Sequence, residues 1–249
     1  MLTDERHAII LSLLNDAGIV KTQELMRVLD CSESTIRRDL DQLEKANKLK
    51  RVHGGAKRLY QLNQELSTQE KSLKNIQEKT NIGKFAASLI ENDDVIFIDA
   101  GTTTLALIDS LKKGNITVVT NGIQHASILA EHHIQTILLG GKIKASTKAI
   151  VGSTSLNELK SYQFDKAFIG INGIDIEFGC TTPDPEEAAI KKLAIHQSAV
   201  SYCLADETKW NKVNFVKVCD LQDVTILTNK SRVDLTSFKE KTTIMEATS

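Results

Sequence analysis

The segment Asp99-Ala100-Gly101-Thr102-Thr103-Thr104 follows a short apolar run, Val95–Ile98. A glycine and three hydroxyl residues at a strand-to-helix junction offer unpaired backbone amides, hydroxyl donors and the positive end of a helix dipole. That combination suits a phosphate. The pattern is neither GxxxxGK[ST] nor GxGxxG, and simple helix capping by Thr102 is the competing reading. Similar endings recur along the chain. Thr120-Asn121-Gly122, Gly140-Gly141-Lys142, Gly170-Ile171-Asn172-Gly173-Ile174-Asp175 and Ala205-Asp206-Glu207-Thr208-Lys209 each close an apolar run. Any one of them is ordinary turn chemistry. Together they predict the rim of a polar pocket for a small, phosphorylated, hydroxyl-rich molecule.

A second constellation lies between Cys31 and Gly55. At 100° per residue Ile36, Leu40 and Leu43 share one helix face, and Ser34, Arg37, Arg38 and Asp41 share the opposite one. Ser32 is the expected N-cap. Leu49–His53 reads as a strand turned by Gly54-Gly55. Residues 36–58 hold eight Lys or Arg against three acids. Such a run is most often a solvated face, and a protein-binding module built of three helices and a hairpin is the lesser alternative. Its placement on a helix and hairpin favours DNA. Ser34, Thr35, Arg37 and Arg38 would enter the major groove, and Lys50, Arg51 and His53 would meet an adjacent groove or phosphate.

The elements that must position these groups follow from periodicity. Residues 3–15 form a helix capped by Thr3 and stopped by Gly18. Ile19-Val20 forms a short strand, and Thr22 caps a second helix with Leu25, Val28 and Leu29 inward. Residues 1–57 thus make a small winged helix-turn-helix domain. Residues 58–80 are polar and read as a linker merging into a helix, whose apolar series is Ile82, Phe85, Ala86 and Leu89. Lys71 and Lys79 would share a face if that stretch is one helix. Residues 81–249 alternate strand, loop and helix. Val95–Ile98, Ile116–Val119, Ile134–Leu139, Ala167–Ile169, Val200–Leu204 and Thr225–Leu227 are short and β-branched, as expected of parallel strands covered on both faces. Helices are expected at Thr104–Leu111, Ile123–His132 and Glu186–Gln197, giving an α/β domain.

The chain has 249 residues and a formal charge of −1, which suits two unequal domains. No apolar run approaches the ~20 residues of a membrane span and no signal peptide opens the chain, so a cytoplasmic protein is expected. The four cysteines (Cys31, Cys180, Cys203, Cys219) stand far apart with no CxxC, and the six histidines show no ligand spacing. Neither disulfides, a metal site nor a cofactor is expected.

The motifs STIRRDLDQLE and LKRVHGGA, with DAGTTT, VVTNG, LLGGK, GINGID, TTPDPEEAA and ADETKW, resemble those of the DeoR family of bacterial transcriptional repressors over essentially the whole length. The EKS–KNIQEK run and TTPDPEEAAIKK look closest to the fructose operon repressors of low-GC Gram-positive bacteria. The resemblance implies a ribose-5-phosphate isomerase-like sensor domain, operator DNA and a sugar phosphate as partners, and a homo-oligomer, dimer or tetramer. It implies D-fructose 1-phosphate as the inducer. It also places Gly101, Thr102, Thr103 and Thr104 on the phosphate, and Asp99, Asn121, Asn172, Asp175 and Glu187 on sugar hydroxyls. Asp206 and Lys209 fill the family's DxxK position, Gly141 joins the effector set, and Lys71 and Lys79 reach the ligand from the domain junction. A DNA-tethered phosphosugar isomerase is one alternative. Against it, Asn172 stands where the isomerases carry a carboxylate, and Thr182-Pro183-Asp184-Pro185 lacks their lysine and glycines. A ligand-dependent activator is the other alternative.

Overall fold

Apolar spacing builds the N-terminal unit. Ile10 and Leu14 of α1 (Thr3–Ala17), Leu25 and Leu29 of α2 (Thr22–Leu29) and Ile36, Leu40 and Leu43 of α3 (Glu33–Lys45) bury into one core. Val20 of β1 (Ile19–Lys21) and Leu49 of β2 (Leu49–Val52) complete it, and β3 (Gly55–Arg58) pairs antiparallel with both, in the order β1-β3-β2. The computed structural model describes residues 1–59, 67–111, 114–231 and 233–247, and separates Met1–Gln61 from Leu62–Ser249. Residues 60–66 of the expected linker lie outside the described residues.

Ser32 caps α3 as expected, its hydroxyl accepting the Thr35 amide. Thr3 and Thr22 do not cap. They are the first residues of α1 and α2, and Glu5 instead accepts the Leu2 amide at 2.9 Å. Val28 faces outward. The hairpin turns at His53-Gly54 rather than Gly54-Gly55, because Gly55 already pairs with Val52 and Lys21.

The second unit opens with α4 (Thr68–Ser72) and α5 (Ile76–Ser88). It therefore begins before residue 81, because Ile82 and Ala86 of α5 are core residues. Then follow β4 (Val95–Ile98), α6 (Thr102–Ile108), β5 (Thr117–Thr120), α7 (Ile123–Glu131), β6 (Gln135–Leu138), β7 (Lys142–Lys144), β8 (Ala149–Val151), α8 (Ser153–Leu159) and β9 (Phe164–Gly170). The rest comprises β10 (Gly173–Asp175), β11 (Gly179–Thr182), α9 (Pro185–His196), β12 (Ser198–Leu204), β13 (Val216–Cys219), β14 (Thr225–Asn229), α10 (Thr236–Lys239) and β15 (Ile244–Ala247). Seven strands form a parallel sheet, β15-β14-β12-β9-β4-β5-β6. Side chains alternate across it: Ile96, Ile98, Phe168 and Leu204 pack with α5 and α6, while Phe97, Ala167, Ile169 and Cys203 pack on the other face with α9 and β13. Burial on both faces explains why these strands read as unbroken apolar runs. No helix among the described residues is long and apolar enough to cross a membrane.

Candidate functional site

From β4 the chain works outward to β6, and from β9 it works outward the other way to β15. The reversal leaves a crevice at the carboxyl ends of β4 and β9, the usual place for a ligand in such sheets. A cavity of about 330 Å³ lies there. Asp99, Gly101, Thr102 and Thr103 line it from the end of β4, and Gly170 and Asn172 from the end of β9. Asp206, Thr208 and Lys209 follow β12, while Glu187 and Lys191 come from α9. Lys71, Lys74 and Lys79 come from α4, α5 and the turn between them, and Lys212 and Thr147 also reach the lining.

Six lysines and three carboxylates therefore share one small space. Burial pushes the Lys79 ammonium below the usual lysine range, and the charges of Lys209 and Lys71 push it further, against the pull of Asp206. Lys209 is lowered for the same reasons, by burial and by Lys212, Lys71 and Lys74. Burial raises the Asp206 carboxyl, but Lys209 and the Thr208 hydroxyl and amide outweigh it and hold Asp206 low. The Asn75 side chain also helps to hold it low, and among the described residues its Oδ2 has no donor within hydrogen-bond distance, Lys209 Nζ standing 3.9 Å away. An excess of crowded positive charge beside an unsatisfied acceptor suits an anion that also carries hydroxyl groups.

The β4 loop is fixed from beneath. Ala100 donates its amide to Asn121 Oδ1 (3.0 Å), and Gly170 donates to Asp99 Oδ2 (3.1 Å). The Thr104 hydroxyl donates to the Asp99 carbonyl (2.5 Å) and accepts the Gly101 amide (2.9 Å). His125 Nε2 lies 3.1 Å from the Gly101 carbonyl, which only accepts, so Nε2 carries the proton. Burial outweighs the pull of Asp99 and of that carbonyl and takes the His125 pKa down to about 4, leaving it neutral at pH 7. Lys191 pairs with Asp99, both nearly fully buried. On α9, Asp184 accepts the Glu187 amide as N-cap, with Pro185 next, which sets Glu187 and Lys191 one turn apart toward the cavity.

Four expected effector residues fall elsewhere. Thr104 and Asn121 are buried in the loop contacts above and do not line the cavity. Asp175 turns back to accept the amides of Glu177 and Phe178 at the β10–β11 hairpin. Gly141 makes the β6–β7 turn with φ +144°, where a Cβ would sit 2.4 Å from Ser155 Oγ. Glu187 lines the cavity but also accepts from Thr147 Oγ1 (2.7 Å) and Lys144 (3.1 Å). Lys71 and Lys79 are not on one helix. Lys79 Nζ donates to the carbonyls of Lys71 and Lys74 (2.6 Å for Lys74) and braces the α4–α5 turn. Sequence reasoning missed Lys74, Lys191 and Lys212. Only Lys191 carried a signal, its i+4 spacing from Glu187. The cysteines also do not stay apart: Cys180, Cys203 and Cys219 converge in the core.

In the N-terminal unit Ser34, Arg37, Arg38, Lys50 and His53 are exposed and Thr35 is half-buried. The hydroxyls of Ser34 and Thr35 lie 2.9 Å from Ser32 Oγ, and Arg37 pairs with Glu33 at 2.5 Å. Arg51 is half-buried, its guanidinium paired with the partly exposed carboxylate of Asp41 and its amide donating to Glu44 (2.8 Å). Arg6 grips the buried Asp39 with two bonds, 2.7 and 3.0 Å, tying α1 to α3. Lys50 and Lys57 stand directly opposite on β2 and β3. Like charges so placed are unfavourable in a free hairpin, and a phosphate backbone relieves them.

A three-helix unit with a cationic two-stranded wing, joined in one chain to an α/β unit with an anion cavity, defines a DNA-binding regulator with a small-molecule sensor. Residues 6–61 match the DeoR-like helix-turn-helix domain and residues 74–230 the DeoR C terminal sensor domain. The chain belongs to the DeoR family of transcriptional repressors. It is 45% identical to the uncharacterized HTH-type transcriptional regulator FruR of Bacillus subtilis (strain 168), over 98% of each chain. It is 35% identical to the HTH-type transcriptional repressor GlcR of the same organism, over 91% of this chain and 88% of that one. Ribose 5-phosphate isomerase A of Neisseria gonorrhoeae aligns at 18% identity with a TM-score of 0.40, covering 59% of this chain and 56% of the isomerase. The relatives are regulators, and this protein is a regulator rather than an enzyme.

Proposed function

We propose that the protein represses a fructose-utilisation operon and leaves its operator when D-fructose 1-phosphate fills the α/β cavity. The observation that carries this reading is the crowding of Lys71, Lys74, Lys79, Lys209 and Lys212 at the Thr102-Thr103 loop. Lys79 and Lys209 are each held below the ordinary range partly by their neighbours' charge, and a phosphate relieves that repulsion. Thr102 and Thr103 supply hydroxyls to the same group, and Asn172, Asp206 and Glu187 supply partners for the sugar. The volume lies at the lower end of ligand pockets, roughly 300–1,000 Å³, in keeping with a monosaccharide phosphate. The choice of fructose rests on the likeness to FruR.

On the DNA side, Arg38, Arg37, Ser34 and Thr35 read the major groove and Lys50, Lys57 and His53 meet phosphates, while Arg51 keeps the wing in place through Asp41. A dimer or tetramer sets two recognition helices on repeated half-sites, and the protein works in the cytoplasm beside the chromosome. Release requires the sugar phosphate to bind the non-DNA state more tightly, by about 1–3 kcal/mol or more. A mobility-shift titration tests this: operator binding weakens with fructose 1-phosphate and not with fructose. Unchanged binding with every phosphorylated sugar overturns the inducer reading, and strengthened binding makes the protein a ligand-dependent binder instead.

A further inference from the structure

Outside the anion cavity the described residues include a cluster of three thiols. Cys180 of β11 stands directly opposite Cys219 of β13, and Cys203 of β12 reaches toward both from the central sheet. Their Sγ atoms all lie within 4.8 Å of one another. Cys180 and Cys203 are fully buried and Cys219 is 7% exposed, within the same core cluster as Leu221, Val224 and Ile226. We propose that these three thiols form a binding site for one soft, closed-shell metal ion, Cu(I), held by three sulfurs.

The distances suit that ion. Three sulfurs about 2.3 Å from a central metal in a trigonal plane stand about 4.0 Å apart, so closure needs only small side-chain rotations. Among the described residues no histidine or carboxylate atom joins the group at this distance, and Cys180 and Cys203 have no exposed surface. Zinc asks for a fourth ligand. A purely sulfur set in an apolar shell favours the softer Cu(I). The ion has a way in. Cys219 forms part of the wall of a surface cavity that also carries His196, Asp220 and Asp223. Ligation sends the protons of the three thiols to solvent, and nothing is oxidised.

Reduced, metal-free full-length protein, titrated without oxygen with Cu(I) against a bicinchoninate competitor, tests the site. One ion per chain is expected, with thiolate-to-copper absorption in the ultraviolet and three sulfur neighbours by X-ray absorption. Cys31→Ser keeps that uptake and Cys219→Ser loses it, with circular dichroism confirming that the variant is folded. In the unaltered protein, Cu(I) also shields Cys219 from iodoacetamide. Absence of stoichiometric uptake, uptake unchanged in Cys219→Ser, nitrogen or oxygen ligands, or preference for Zn(II) over Cu(I) would each overturn the proposal.

Discussion

Gly83→Ala separates local preference from packing by the sign of its effect. Gly83 lies within α5, where helix propensity alone favours alanine by about 1 kcal/mol. A Cβ at this position would stand 2.6 Å from the Ala106 carbonyl carbon, 2.7 Å from its oxygen and 2.7 Å from the Leu107 nitrogen. These are backbone atoms of α6, so no side chain can swing away. Contact distances near 3.5–4.0 Å require the two helices to part by about 1 Å. Overpacking of this kind costs about 1–3 kcal/mol. For a unit of this size each kcal/mol moves Tm by about 2–4 °C, so a loss of about 2–12 °C is expected. The same displacement shifts Lys79 on α5 and Thr102 and Thr103 on α6, so affinity for a sugar phosphate falls as well. Thermal melts followed by circular dichroism, with and without fructose 1-phosphate, read both effects, and Lys84→Ala on the exposed face of α5 serves as the control. A Gly83→Ala protein that melts higher than its parent would falsify the close-packing account.

Lys209→Gln removes a charged partner of the phosphate, worth about 1.5–3 kcal/mol, and calorimetry is expected to show roughly 10- to 150-fold weaker binding. Lys79 and Lys209 titrate below 10.5 in the folded, ligand-free protein. Between their lowered values and 10.5 the unfolded chain binds more protons, so stability rises with pH in that window while phosphate affinity falls. Melting and calorimetry across alkaline pH check the two opposite trends. Lys50→Ala should flatten the salt dependence of operator binding by about one phosphate contact, and Arg38→Ala should cost about 1–3 kcal/mol and relax the base preference; an unaltered slope or an unaltered base preference removes that residue from the interface. Hydrogen exchange should slow more at the α4 amides than at β4 when fructose 1-phosphate is added, and equal protection would count against α4 as the more easily opened wall.

The strands were legible because burial on both faces leaves continuous β-branched runs, and Ile96, Phe97 and Ile98 show both directions of packing within one strand. The strand endings were legible as a group but not individually. Asparagine, aspartate, threonine and glycine serve turns as readily as ligands, so Asn121, Asp175, Thr104 and Gly141 looked identical to residues that line the cavity. Lysines carry the opposite ambiguity. Lys74, Lys191 and Lys212 resemble solvated surface residues until the fold crowds them around one space. Arg51 was read as a DNA contact from its charge, but Asp41 lay ten residues back and its claim on the guanidinium depends on how β2 returns past α3. The cysteine triad had no local signal, since its members come from three strands that only tertiary structure brings together.

The two walls of the anion cavity differ in how firmly they are held, and that difference is what a sensor needs. Asn121, Thr104, His125 and the Gly170 amide fix the β4 loop before any ligand arrives, so Thr102 and Thr103 need little ordering. The α4 side is held by polar ties with little packing behind them. This five-residue helix buries none of its residues and is tied down by the Thr68 amide on the Ser146 carbonyl, the Thr68 hydroxyl on Thr147 and the Lys79 brace. Few apolar contacts make it one of the segments that open most easily. A phosphate gripped by Thr102 and Thr103 on one side and by Lys71 and Lys74 on the other gains differential affinity for whichever α4 position brings those lysines closest. In the chain α4 follows the segment that leads from the DNA-binding unit. Asn121 and Thr104, which the family resemblance places on a sugar hydroxyl and on the phosphate, instead provide the fixed reference against which such a movement would register.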